Sequence, residues 1–251
     1  MIKIVIVLTL ILSTSTYAQT NADLQLLYGN FDGNTAMYDT EDGGGKSTLT
    51  YESFSYNKVG DLYAFLDYMV ANDTLYVPGS AKGTQTAFYG EIQPRLSLSY
   101  VTDHTLSFGL IQDIFVATQL NAGSGADYKA AMIGLGINAD LIGFDSFATN
   151  IYIKNENFKP SEYYSRNTVQ ISLAYATVFG TSGFSFNGWL DWTPYNIQTQ
   201  NQLLYKVFSL ADEQSIDLGF EYLYYQEQSD ISNNYTYLKT SVLQIMVRYL
   251  W

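Results

Sequence analysis

Between Tyr89 and Ser99, the side chains of Tyr89, Glu91, Gln93, Arg95, Ser97 and Ser99 share one parity, and Gly90, Ile92, Pro94, Leu96 and Leu98 share the other. A period of two is that of a β-strand, with a polar face and an apolar one. Asp61, Tyr63, Phe65, Asp67 and Met69 alternate in the same way with Leu62, Ala64, Leu66, Tyr68 and Val70. Ser146, Asn150, Tyr152 and Lys154 oppose Phe147, Thr149, Ile151 and Ile153, and Asp217, Glu221 and Tyr225 oppose Ile216, Leu218, Phe220, Tyr222 and Tyr224. The pattern predicts twelve strands, near 23–31, 47–57, 61–71, 87–100, 104–119, 128–138, 144–155, 167–178, 183–193, 202–210, 215–226 and 235–251. The tenth is the least regular, because Leu203, Leu204, Tyr205 and Phe208 do not separate by parity.

The connections alternate in length. Short ones fall at 58–60, 101–103, 139–143, 180–182 and 211–214; longer ones, rich in Gly, Asn, Ser and Asp, fall at 32–46, 72–86, 120–127, 156–166, 194–201 and 227–234. Gly43-Gly44-Gly45, in the first of these, reads as a flexible surface loop. An even strand count with short turns at one rim and long loops at the other is the pattern of a bacterial outer-membrane barrel. Lipid offers the backbone no partners, so such a sheet must close on itself. The fold expected is all-β: a 12-stranded antiparallel transmembrane barrel with short periplasmic turns and longer extracellular loops. A soluble periplasmic or secreted barrel is the competing architecture, and it would carry fewer outward aromatics near strand ends.

Residues 1–18 read as an address. Met1-Ile2-Lys3 is a short positive start, Ile4 to Leu12 is apolar, and Thr16-Tyr17-Ala18 sets small residues at −3 and −1 of a cleavage site. The apolar run is well short of the roughly 20 residues a membrane-spanning helix needs. A cleaved signal peptide over 1–18, with the barrel occupying 19–251, places the protein in the outer membrane of a Gram-negative cell.

Composition narrows the chemistry. The net charge is −12, which argues against nucleic acid as a partner. Charged residues make up 14% of the chain and aromatics 16%, whereas soluble domains run at about 25% charged. There is no cysteine, so neither a disulfide framework nor a thiolate metal site is available. Any metal site or Ser–His–Asp relay must use His104, the one histidine. No Ser and Asn/Asp arrangement accompanies it, so a phospholipase-like barrel is disfavoured and no enzyme activity, metal or cofactor is expected. His104 reads as a solvated turn residue.

The same parity places Glu52, Asp67, Glu91, Asp113, Asp191, Asp217 and Glu221 inside the barrel with Arg95, Lys154, Lys206 and Arg248. A base on the lipid side would cost roughly 2–4 kcal/mol near the midplane. Phe54, Tyr56, Tyr63, Phe65, Tyr89, Phe115, Tyr128, Tyr152 and Trp189 also face inward. Two readings fit equally: a structural barrel filled by its own side chains, or a pore whose rings stack on flat solutes while its charges bind polar groups.

The motifs separate these readings. Asp61-Leu62-Tyr63-Ala64-Phe65-Leu66-Asp67 resembles the D-[LF]-Y-x-[FY]-x-D strand of the nucleoside-specific channel-forming outer-membrane proteins (Tsx type) and their OmpK-like relatives. Leu49 to Phe54 is similar to that family's Y-L-E-x-E-x-F strand, Glu91 to Ser97 to its E-P-R-[FM]-S-I stretch, and Leu106 to Gly109 to its D-L-S-F-G. Gln112 to Thr118 resembles the OmpK-like branch, and Gly134-Leu135-Gly136 and Asn150 to Lys154 resemble G-L-G and N-[VL]-Y. The likeness is good over 47–154 and diffuse afterwards, with Asp191-Trp192 as an anchor, while 24–46 does not match. It implies a monomeric barrel that passes nucleosides through a narrow pore. The lumen residues it carries over are Glu52, Asp61, Tyr63, Phe65, Asp67, Glu91, Arg95, Asp113, Tyr152 and Lys154; parity adds Phe54.

The function expected is passive uptake of nucleosides or similar small polar solutes; the alternative is a structural or surface-recognition barrel of phage-receptor type. Partners expected are those solutes, outer-membrane lipid, the barrel-assembly machinery and, at the loops, phage or toxin. Replacing Phe65 or Tyr152 by Ala is expected to weaken solute block, and the acid excess to favour cations.

Overall fold

Alternation dominates the architecture. In the computed structural model, which describes residues 19–33, 38–75, 84–123, 128–157, 167–211, 214–227 and 239–251, twelve antiparallel strands form a closed barrel. They are β1 (Gln19–Phe31), β2 (Gly44–Asn57), β3 (Gly60–Ala71), β4 (Thr86–Ser97), β5 (Ile111–Gly123), β6 (Lys129–Ala139), β7 (Ser146–Glu156), β8 (Asn167–Val178), β9 (Phe184–Trp192), β10 (Asn196–Ala211), β11 (Gln214–Glu227) and β12 (Lys239–Leu250). Each pairs with its sequence neighbours, and β1 closes on β12 through Asp23–Leu250 to Tyr28–Ile245. The leader expected over 1–18 lies outside the described residues.

On the regularly alternating strands the inward and outward sets follow parity. Leu24, Leu26, Leu66, Ile133, Leu135, Ile151, Ile153, Leu218, Leu243 and Ile245 are exposed on the outer surface, while Gln25, Asp61, Arg95, Gln119, Lys154, Asp217, Glu221 and Gln244 are buried inside. Asn201 is an exception on the outer face: it accepts from the Tyr175 hydroxyl and donates to Thr199 Oγ1 at 3.0 Å, so its amide is satisfied laterally. Among the described residues no helix is long and apolar enough to cross a membrane.

Three expectations are corrected. Strands were expected over 87–100 and 104–119, but β4 stops at Ser97 and β5 starts at Ile111, so the connection expected at 101–103 runs from 98 to 110. Ser97 caps a short helix, α1 (Leu98–Thr102), by accepting from Tyr100 N at 3.1 Å, and Asp103 ends it at φ 54°. The serine hydroxyls that extend the polar parity bond back locally instead of continuing the strand. His104 lies in this connection.

The long loop expected at 194–201 is a tight turn over 193–195, because β10 begins at Asn196. Thr193 N donates to the Asn196 carbonyl at 2.8 Å, and Asn196 N donates back to Thr193 Oγ1 at 3.1 Å. Asn196, Gln198, Gln200 and Gln202 alternate inward, so an amide-rich stretch that resembles a loop is the wet face of a strand. The irregular parity of β10 also has a cause. Leu204 faces inward and packs with Leu27 and Met246, and the register shifts between Lys206 and Phe208. Lys206 is exposed near that strand's end.

Third, the glycine run is not all loop, because Gly44 and Gly45 open β2. Gly43 (φ 86°) and Gly44 (φ 110°) hold conformations that L side chains rarely adopt, and Gly45 already belongs to β2, where its carbonyl accepts from Asn72 N at 3.1 Å.

Candidate functional site

The barrel interior has two halves. Toward the rim that carries the 32–43 and 72–85 connections it is filled by Phe31, Tyr38, Met69, Leu75, Tyr89, Tyr128, Tyr152, Leu223, Tyr225 and Val242. Toward the rim that carries both ends of the described chain, it opens into a cavity of about 420 Å³. Ligand sites commonly span about 300–1,000 Å³.

The cavity wall collects Glu52, Phe54, Asp61, Tyr63, Phe65, Asp67, Glu91 and Arg95, eight of the residues singled out in the sequence. Tyr63 and Phe65 lie one pleat apart on β3 with ring centroids 6.0 Å apart, and Phe65 meets Tyr89 at 5.8 Å. Phe54, from β2, also borders the cavity and is 36% exposed. The rings therefore form a stepped, apolar track on one wall.

Carboxylates and amides line the rest. Glu91 accepts from Tyr89 Oη at 2.5 Å, Gln119 Nε2 at 2.7 Å, Gln93 Nε2 at 2.8 Å and Asn121 Nδ2 at 2.9 Å. Glu221 accepts from Gln202 and Gln244, each at 2.9 Å. Gln25 joins Asp23 (2.8 Å) to Glu52 (3.1 Å), and Asp67 accepts from Thr50 Oγ1 at 2.6 Å. Asp191 and Trp189 enter from β9 and Gln200 from β10, with Trp189 Nε1 donating to Gln200 Oε1 at 3.1 Å.

Arg95 and Asp61 are engaged with each other. The guanidinium donates to both Asp61 oxygens (2.8 and 2.6 Å), to Asn138 at 2.8 Å and to Asn150 at 3.4 Å, and it sits 4.4 Å from the Phe115 ring centroid. A bidentate pair with further donors satisfied braces four strands.

Three candidates stand off the cavity wall. Asp113 accepts from Ser97 and Ser99, each at 2.6 Å, and so ties α1 to β5. Lys154 pairs with Glu156 at 3.1 Å. Tyr152 is 1% exposed within the filled half, and its hydroxyl has no protein partner among the described residues. Among the described residues no group of three or more His, Cys, Asp or Glu side chains is arranged to hold a metal ion.

The residue that sequence reasoning missed is Tyr38. Lying in the expected surface loop, it instead folds inward and borders the cavity. Burial and the nearby Glu91, Asp191 and Asp67 carboxylates raise its phenol well above its ordinary pKa, so it stays neutral. Its φ of 68° costs about 1–3 kcal/mol for a residue other than glycine. No periodicity marks such a position; the one local signal is the glycine bend that follows it.

Residues 27–243 match the family of the nucleoside-specific channel-forming protein, Tsx. The chain belongs to that family. Outer membrane protein OmpK of Vibrio parahaemolyticus is 29% identical over 153 residues, covering 60% of this chain and 56% of that protein. The chain thus spans about half the length of the curated relative it matches. Looser likenesses in fold are found with the KdgM porin in complex with disordered oligogalacturonate (10% identity, TM-score 0.45, 92% of this chain and 98% of that one). OccAB3 of Acinetobacter baumannii gives 8% identity and a TM-score of 0.42, covering 94% and 99%.

Proposed function

We propose that the protein is an outer-membrane channel for passive uptake of nucleosides or similarly sized flat, polar solutes, working as a monomer in lipid after export and barrel assembly. The observation that carries this reading is the cavity inside a closed barrel of the Tsx family, with stacking rings on one wall and hydrogen-bonding carboxylates and amides on the others. Ring stacking contributes about 1–3 kcal/mol per base, enough to select a solute without trapping it. Tyr63, Phe65 and Phe54 would receive the ring, and Glu52, Asp67 and Glu91 the sugar hydroxyls and ring N–H groups.

The test is single-channel conductance of the refolded protein in a planar bilayer, titrated with adenosine, thymidine and arabinose. Block by the nucleosides at concentrations where arabinose has no effect supports the reading. Equal indifference to all three overturns the solute assignment. The filled loop-side half favours a second reading, a structural barrel, which would give no conductance in any salt.

A further inference from the structure

Tyr38 belongs to no strand, yet its ring lies inside the barrel. It meets Tyr89 edge-on (6.3 Å, 80°) and Tyr225 edge-on (6.0 Å, 78°), and its hydroxyl donates to Gln198 Oε1 at 3.2 Å. Two attachments hold it there. Lys46 is 2% exposed, and its Nζ, 3.9 Å from the Phe31 ring centroid, donates to the Tyr38 carbonyl at 2.6 Å. Thr40 bridges to Leu75, and Glu41 N donates to the Thr74 carbonyl at 2.9 Å. The left-handed backbone at Tyr38 is therefore imposed by its surroundings, the circumstance in which strain marks a functional position.

A flat six-membered ring, walled by two aromatic side chains and bonded at its polar edge to an amide, reproduces what a heteroaromatic solute would offer. We infer that Tyr38 is the chain's own occupant of an aromatic slot at the loop-side end of the cavity, that a solute ring passes by displacing it, and that Lys46 is the strap that returns it. This inference rests on the channel reading above. A solute shifts such an equilibrium only through contacts that differ between the two states. A ring-bearing solute replaces the edge contacts and the Gln198 bond, whereas a bare sugar replaces neither. Selectivity then comes from exchange as well as from pore width.

The experiment uses the full chain refolded in planar bilayers, with heat-modifiable gel mobility confirming that each variant is folded. Tyr38→Ala should raise mean KCl conductance above that of the parent by removing the occupant. Lys46→Met, which keeps the ring, should make openings more frequent. Because the chain has no cysteine, Thr40→Cys supplies a unique thiol. Its modification by a charged methanethiosulfonate from the loop side should quicken with thymidine and not with arabinose. Unchanged conductance in both Tyr38→Ala and Lys46→Met overturns the occupant. Labelling indifferent to thymidine overturns the exchange. If conductance rises in Tyr38→Ala but thymidine blocks no variant, the occupant stands and the nucleoside reading falls.

Discussion

Phe65 and Tyr152 are both inward aromatics on well-patterned strands, but they occupy different halves of the lumen. Phe65 borders the cavity, and its truncation to Ala should weaken nucleoside block roughly five- to a hundredfold in conductance titrations while the barrel stays folded. Tyr152 is enclosed in the filled half, so Tyr152→Ala should instead cost about 3–5 kcal/mol, read as a lower urea midpoint, with block little changed. Equal loss of block in both variants would contradict this division. Asp61 and Arg95 are a third case. Parity places them inside, and their bidentate pairing and the Asn138 contact make them a brace. Asp61→Ala leaves a buried guanidinium short of its partner and should destabilise by about 3–5 kcal/mol. An unfolding midpoint within error of the parent would remove the brace. Which inward residues touch the cavity was not legible in the sequence, because parity gives a side chain's face but not its depth along the barrel axis.

Strands were legible because each must satisfy lipid and lumen at once, and that double demand writes a period of two. It fails where the demand changes. Past Ser97 the chain leaves the wall, so the continuing parity of Ser99 reflects bonds to Asp113 and the α1 cap. At 196–201 both faces carry polar groups, and amides facing a wet interior look like a loop. The Gly134-Leu135-Gly136 motif was legible as a resemblance, and its physical reason is close approach of strands. A Cβ on Gly134 would lie 1.8 Å from the Ile151 carbonyl oxygen and 2.9 Å from Tyr152 Cα. Gly134→Val should therefore block pairing of β6 with β7 and abolish the folded, heat-modifiable species on gels. The atoms nearest a Cβ on Gly136 belong to the side chains of Asn150 and Ala117. Gly136→Ala should fold, with the Arg95 brace disturbed.

At the scale of the molecule, the charges buried within the described strands are unbalanced toward acid. Asp23, Asp61, Glu156, Asp191, Asp217 and Glu221 are buried in the strands against Lys46, Arg95 and Lys154, with Arg248 paired to Asp217 at 2.6 Å, and Glu52, Asp67 and Glu91 add to the acids on the cavity wall. Lumens ringed by Asp and Glu favour cations. Reversal potentials in a KCl gradient should accordingly favour potassium, the preference shrinking as salt rises toward about 1 M, where screening lengths fall to about 3 Å. A preference for chloride would mean that the acids are not on the ion path.

The seam between β1 and β12 also has a consequence in time. Residues 23–28 find their partners at 245–250, nearly the full chain away, so these rungs have the greatest sequence separation in the sheet. Contacts of that kind are slow to make. Until they form, every shorter assembly of strands carries two unpaired edges, each a template for joining another chain. The closed state and its precursors therefore differ in kind: the finished barrel is inert at its edges, whereas an arrested one is adhesive. The rate of closing the seam sets how long the protein is exposed to aggregation on its way to the membrane.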